Sequence, residues 1–403
     1  MTAEQKKIIL ATVPVLREQG MALTTHFYNR MFKYNPELKN LFNMGNQQNG
    51  RQQAALANAV LAYAENISNP QVLMPVIDSI GQKHASLDIR PEQYIIVGKH
   101  LIASIREVLG EGATPEIIDA WESAYGQLAR IMSGHEANLY KAQTERINGW
   151  AGWRLFRVMC KEMESTEICS FYLYPADGGK VPLHLPGQYI SLKMLLPELS
   201  MNQIRQYSIS SAPADTHYRI SVKKEYDSNK NINGMISNYL HNSVQVGTFL
   251  ELSAPSGNFV LPDAINAPLV FISGGVGITP FMSMLEHLLE QKVKFPITLI
   301  HGCRNESVHA FKDRIKMLEA NNDNLKTYTF YDQCTEENKV QGITEGYPDI
   351  NKIKNFGQET AATYFICGPS SFISKQINDL KKCGKDSKQL FFEEFGPQSL
   401  TLN

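Results

Sequence analysis

The sequence predicts a multidomain chain: an all-α domain over residues 1–146, a small antiparallel β-barrel over 147–264 and an α/β domain with a parallel sheet over 265–403. Three observations carry this. Up to Tyr140 apolar side chains recur every three or four residues. The stretches YRISVKKE and TFLELSAP then alternate apolar with polar in twos. From Ala267 onward, runs that are apolar throughout alternate with helical stretches. At 403 residues the chain also exceeds the roughly 100–200 residues that one domain usually organises.

In the helical part, Val13, Leu16, Leu23, Phe27 and Met31 form one stripe. Tyr94, Val97, Leu101, Ile105 and Val108 form a second, and Ile118, Trp121, Tyr125, Leu128 and Met132 a third. RINGWAGW, with two glycines and two tryptophans, reads as the linker into the barrel. In the last part PLVFIS, FPITLIHG, KTYTFY and ATYFICGP read as strands buried on both faces, and ITPFMSMLEHLLEQ as the helix after the first of them.

The net charge of −1 provides no basic face for nucleic acid or an anionic membrane. Apolar runs are short or broken by Gly and Pro, so no transmembrane segment is expected. The first residues, MTAEQKKIIL, hold no signal-peptide core. Six cysteines at 160, 169, 303, 334, 367 and 383 show no paired spacing for zinc, an iron–sulfur cluster or disulfides, which suits a reducing cytoplasm.

SGGVGITP, Ser273 to Pro280, stands between a buried strand and a helix. Gly274, Gly275 and Gly277 permit positive backbone dihedrals and close approach of a ligand, Thr279 can cap the helix, and Pro280 suits its first turn. Free amides at such a helix start favour a pyrophosphate. Pro280 occupies the place of the third glycine of GxGxxG, so a ligand-free tight turn is the competing reading. In the barrel, RQYS brings Arg205, Gln206, Tyr207 and Ser208 onto one strand, after PGQY ending at Tyr189. An Arg can neutralise a pyrophosphate, a Tyr can lie on a flavin ring, and a Ser can hydrogen-bond a ring nitrogen. An ordinary amphipathic strand would read alike.

The order RQYS, GMIS (Gly234 to Ser237), GGVGITP and CGP (Cys367 to Pro369) resembles the ferredoxin–NADP reductase family over residues 150–403. The resemblance implies that Arg205 and Tyr207 hold FAD, that Gly234 and Ser237 receive its phosphates, and that Gly275, Val276, Gly277, Ile278, Thr279 and Pro280 receive the nicotinamide cofactor. It further implies that the C-terminal Glu394, Phe395, Gly396 and Pro397 lie at the flavin, with Phe395 covering it. NADH and NADPH both remain open: no acidic residue clearly ends FPITLIHG, and Arg304 could meet a phosphate.

A reductase needs an acceptor. Val76, Ile80 and His84 fall at i, i+4 and i+8, placing an imidazole on the inward face of a helix, as an iron ligand or as a satisfied core histidine. Glu136 continues the stripe of the last helix, where a buried carboxylate would need a donor such as the other nitrogen of a metal-bound imidazole. Tyr28, then NPELKNLF with Pro36 and Phe42, then Gln52 and Leu56 resemble a bacterial globin.

A globin followed by this reductase resembles the flavohaemoglobin family over the whole chain, through YNRMF, NPELKNLFNM, QKH, RQYS and FGP. The resemblance implies haem b on His84, linked to Tyr94 and Glu136, with Tyr28 and Gln52 on the opposite side of the iron. It implies that Lys83 and Glu393 tune the redox centres, and that a monomer uses O2 to convert nitric oxide to nitrate. A reductase of peroxides or ferric iron, and a sensor of O2 or NO reset by its reductase, are the alternatives.

Overall fold

The computed structural model describes residues 1–197, 200–227, 232–262, 265, 267–353, 356 and 361–396. Two compact units emerge: Met1–Arg154 with Ser191–Arg205 and Leu252–Ser256, and Leu155–Ile190 with Gln206–Glu251 and Gly257–Asn403.

In the first unit the helices are α1 (Ala3–Tyr34), α2 (Met44–Gln48), α3 (Arg51–Glu65), α4 (Met74–Ser86), α5 (Pro91–Leu109) and α6 (Pro115–Glu145). Thr2 and Gln5 form a capping box that starts α1, and Thr114 caps α6. Phe27, Met31, Tyr63, Leu101, Ile105 and Trp121 meet in the core these helices enclose. The α4 stripe differs from its sequence reading, since Val76 is 49% exposed while Ile77 is 4% exposed. Ile77, Gly81 and Ala85 form the buried face of α4. Gly81 lies so close to α6 that an added Cβ would stand 2.7 Å from the His135 ring. The row Val76, Ile80, His84 is turned about 100° from that contact and is only partly covered.

The middle third contains β1 (Trp153–Met163), β2 (Ile168–Pro175), β3 (Tyr189–Leu196), β4 (Met201–Ser208), β5 (Tyr218–Lys223), the short pair β6 (Tyr226–Asp227) and β7 (Ile232–Asn233), α7 (Met235–Asn242) and β8 (Phe249–Ser253). Six of the strands form one curled sheet in the order β4-β3-β8-β1-β2-β5. A bridge from Ile209, just beyond β4, to Ile220 of β5 links its two outer strands, and this curls the sheet into a barrel.

The final third runs through β9 (Leu269–Gly274), α8 (Thr279–Glu290), β10 (Ile297–Cys303), α9 (Lys312–Ala320), β11 (Leu325–Tyr331), α10 (Glu336–Val340), β12 (Thr344–Glu345), β13 (Thr363–Gly368), α11 (Ser370–Lys382) and β14 (Leu390–Glu394). Its strands pair in parallel in the order β12-β11-β10-β9-β13-β14. Phe271 of β9 packs into one core with α8 and α9, while Val270 and Ile272 enter a second core with α11. Both faces are covered, which is why these strands are apolar throughout.

Candidate active site

His84 lies in the last turn of α4, where its Nδ1 is 2.7 Å from Glu136 Oε1 and 3.0 Å from the Tyr94 hydroxyl. Tyr94 donates to the same Glu136 oxygen at 2.5 Å. An Nδ1 facing a carboxylate carries the ring proton, so the Nε2 lone pair points away from the cluster, toward where a metal can bind. Glu136 is 2% exposed, and such a carboxylate is held only by donors of this kind. Burial first, and then the bond to Glu136, push the Tyr94 hydroxyl far above its ordinary range, so it stays a donor.

The cluster has a frame. Tyr125 donates to the Tyr94 carbonyl at 2.5 Å and Tyr140 to the Ile89 carbonyl at 2.7 Å, while the Ile89 amide donates to the His84 carbonyl at 3.0 Å. One face of α6, through Tyr125, Glu136 and Tyr140, thus grips the α4–α5 corner. Sequence reading counted Tyr125 as an apolar stripe member and missed its hydroxyl. Lys83 precedes His84 on α4, and its carbonyl accepts the Ser86 hydroxyl at 2.8 Å. Ser86 in turn accepts from Ser191 of β3 at 2.9 Å. Among the described residues no group of three His, Cys, Asp or Glu could hold a bare metal ion. One imidazole with an outward Nε2 suits an iron whose other nitrogens come from a porphyrin.

Tyr28, 4% exposed on α1, stands among rings: its centroid is 4.9 Å from Phe27, 5.9 Å from Phe32 and 5.7 Å from Phe42. Burial pushes its hydroxyl up to about 12, against the pull of the Gln52 and Gln47 amides. Leu56 packs against the same core. Gln53 donates to the Gln47 carbonyl at 3.1 Å and to its Oε1 at 3.0 Å. Gln47 Nε2 is buried without a hydrogen bond among the described residues. Sequence reading named Gln52 and passed over Gln47 and Gln53, which sit in the polar run NMGNQQNGRQQ that looks like a loop. Flat aromatic walls and a buried donor that closes no full hydrogen bond fit a haem that carries a small polar ligand.

On the barrel, β3 opens at Tyr189, and Gly257 lies against its ring: an added Cβ would be 2.8 Å from it, and φ is +104°. Arg205, Gln206, Tyr207 and Ser208 occupy the second half of β4, all half-buried. Arg205 donates to the Ile204 carbonyl at 2.7 Å. The start of β4 is tied to the helical part, since the Asn202 amide donates to Asn40 Oδ1 at 2.8 Å. Gly234 precedes α7, and the Ser237 hydroxyl accepts from the Glu225 amide at 3.1 Å. At the other end of α7 Lys161 donates to the carbonyls of His241 at 2.6 Å and Val244 at 2.9 Å, favourable for a cation at a helix C-terminus and absent from the sequence reading.

At the glycine loop, φ is positive only at Gly275, at +55°. Gly277 serves close approach: a Cβ there would lie 2.3 Å from the Cys367 carbonyl oxygen, so the GGVG turn presses on the CGP segment. Val276 is half-buried and Ile278 and Pro280 are buried. Thr279 does not cap the helix. It is the first residue of α8, after a 3-10 turn over Gly275–Ile278, and its hydroxyl donates to the Val276 carbonyl at 3.0 Å. Ser273 and His301 share a hydrogen bond of 2.8 Å beneath the loop.

At the C-terminus Glu393 pairs in register with Cys367, and the Ser370 hydroxyl donates to Glu394 at the start of α11. Phe395 is 41% exposed and Gly396 follows with φ +133°, while Pro397 lies outside the described residues. Arg304 is ion-paired with Glu167.

Residues 25–132 match the globin family, 157–261 the oxidoreductase FAD-binding domain and 271–377 the oxidoreductase NAD-binding domain. The chain is 48% identical to the flavohemoprotein of Bordetella parapertussis over 98% of both chains. It belongs to the flavohaemoprotein family. The Rhizobium meliloti flavohemoprotein is 47% identical, again over 98% of both. The crystal structure of a Malassezia yamatoensis flavohemoglobin with bound FAD and haem superposes with a TM-score of 0.85 at 26% identity, covering 98% of this chain and 99% of that one. The FAD/NAD-binding domain of a nitric oxide dioxygenase from Vibrio cholerae covers 60% of this chain and 99% of its own, with a TM-score of 0.55 at 33% identity. As a flavohaemoprotein the chain is an oxidoreductase that binds haem, FAD and NAD(P)H and uses the nucleotide to reduce the haem. Among the described residues no helix is long and apolar enough to cross a membrane.

Proposed function

We propose that this flavohaemoprotein is a nitric oxide dioxygenase. The observation that carries the reading is the Glu136–His84–Tyr94 cluster, which places an anionic acceptor behind the imidazole. A full carboxylate at Nδ1–H makes an imidazole a stronger donor, an arrangement for activating a gas rather than storing it. Nitric oxide is favoured by the Vibrio cholerae relative, whose name is nitric oxide dioxygenase.

When bound, the nicotinamide, FAD and haem would supply a hydride donor, a carrier that divides it into single electrons, and an iron for O2 chemistry. One hydride would then supply the two electrons with which two NO and two O2 give two nitrates. His84 Nε2 would hold the iron, with Glu136 and Tyr94 fixing the ring. Tyr28, kept protonated by burial, would donate to the gas, with Gln52 beside it and Leu56 closing the wall. Arg205, Gln206, Tyr207 and Ser208 with Tyr189, Gly234 and Ser237 would hold FAD. The loop from Gly275 to Pro280 and the segment Glu394 to Pro397 would seat the nicotinamide against it. Lys83 and Glu393 would bias the two potentials. The working domains divide near residues 146 and 264.

Aerobic protein supplied with NADH and pulsed with NO tests this. Nitrate should form at one per NO, with half as much NADH consumed. Nitrite or nitrous oxide as the main product, or equal turnover without oxygen, would refute the reading.

A further inference from the structure

Gln47 carries a buried donor that its role in the fold does not use. Its Oε1 and its main-chain carbonyl both accept from Gln53 Nε2, at 3.0 and 3.1 Å. Gln53 is itself 9% exposed, and its main-chain carbonyl accepts from the Thr24 hydroxyl at 3.0 Å. With Oε1 committed as the acceptor, the amide can be oriented only one way, and its Nε2 must point elsewhere. That nitrogen is buried and makes no hydrogen bond among the described residues. Elsewhere is the Tyr28 hydroxyl, whose proton affinity the Gln47 amide lowers together with Gln52, though the contact lacks the geometry of a full hydrogen bond.

A buried amide donor left without a well-formed hydrogen bond is disfavoured. Folded proteins rarely retain one unless something from outside supplies the acceptor. Next to Tyr28 the candidate is an oxygen atom of a small ligand that gains negative charge from the iron.

We propose that Gln47 is a further ligand-binding residue of the haem pocket, donating through Nε2 to a charge-gaining diatomic ligand alongside Tyr28, with Gln53 as the positioning residue that aims it. This rests on the haem-side placement of Tyr28 and not on the identity of the substrate. Tyr28 and Gln52 come from α1 and α3, whereas Gln47 comes from α2, so three separate elements would converge on the ligand.

The test uses the full-length haem- and FAD-loaded protein with CO and O2, so no NO chemistry enters. In the ferrous CO adduct, a donor near the oxygen lowers the C–O stretching frequency. Gln47→Met, close in volume but without the donor, should raise that frequency and speed O2 release by about fivefold, the loss of a single neutral hydrogen bond. Gln53→Met leaves the amide in place but unaimed, and should broaden the C–O band and speed release less. If Tyr28→Phe shifts the band and Gln47→Met, with normal haem content, does not, the proposal falls alone. If neither variant shifts it, the placement of the pocket falls as well. If Gln47→Met cannot take up haem, an unchanged band in Gln53→Met overturns the proposal.

Discussion

The proposed haem site and the proposed nucleotide site of this chain are built by opposite means. Around His84 the site is made of side chains: Glu136, Tyr94, Tyr125 and Tyr140 close hydrogen bonds of 2.5–3.0 Å around one imidazole. Around the GGVG turn the site is made by leaving side chains out, since Gly277 lies where a Cβ would be 2.3 Å from the Cys367 carbonyl. A permanently held group calls for directional bonds that fix it. A substrate nucleotide that arrives and leaves calls for exposed main-chain amides and room.

The contrast can be broken most severely at its centre. His84→Gly should abolish haem retention, read as loss of the Soret band, while FAD content stays normal. Retained haem with an unchanged spectrum would place the iron elsewhere. On the nucleotide side, Gly277→Ala should raise the KM for NADH by about 10-fold or more, because overpacking costs roughly 1–3 kcal/mol and here the neighbour is main chain. Haem and FAD contents should not change, and an unaltered KM would remove Gly277 from the nucleotide site.

These two constructions also differ in how far they can be read from sequence. GGVGITP is contiguous, so its glycines announce the turn, and apolar runs such as PLVFIS and FPITLIHG locate the strands because both faces of that sheet are buried. What failed there was local, as Thr279 starts the helix rather than capping it. The proposed haem site assembles residues 84, 94 and 136, and periodicity offers only their faces. It gave Glu136 its inward position but put Val76 in the core, because it cannot tell the face of α4 that packs on α6 from the one beside it. Gln47 left no periodic trace at all, since five residues of α2 are too few for one.

A smaller effect concerns alkaline pH. Burial holds Tyr28 and Tyr63 each up to about 12, against the ordinary value of 10.0, so in this pH range the unfolded chain loses these protons first. The stability they confer is complete below about pH 10 and declines as pH rises toward 12. Thermal unfolding followed at the Soret band should therefore move to lower temperature between about pH 9 and pH 11, more than it does in Tyr63→Phe. Equal shifts in the two proteins would contradict the contribution of Tyr63.

In the proposed mechanism Glu136 sets the donor strength of the His84 imidazole. The ferrous iron–histidine stretching frequency reports this directly by resonance Raman spectroscopy. In the native protein it should lie high, as for an imidazole with strong anionic character, and Glu136→Gln should lower it while haem stays bound, with turnover falling by roughly 10–100-fold. An iron–histidine frequency identical in the native protein and Glu136→Gln would contradict the account.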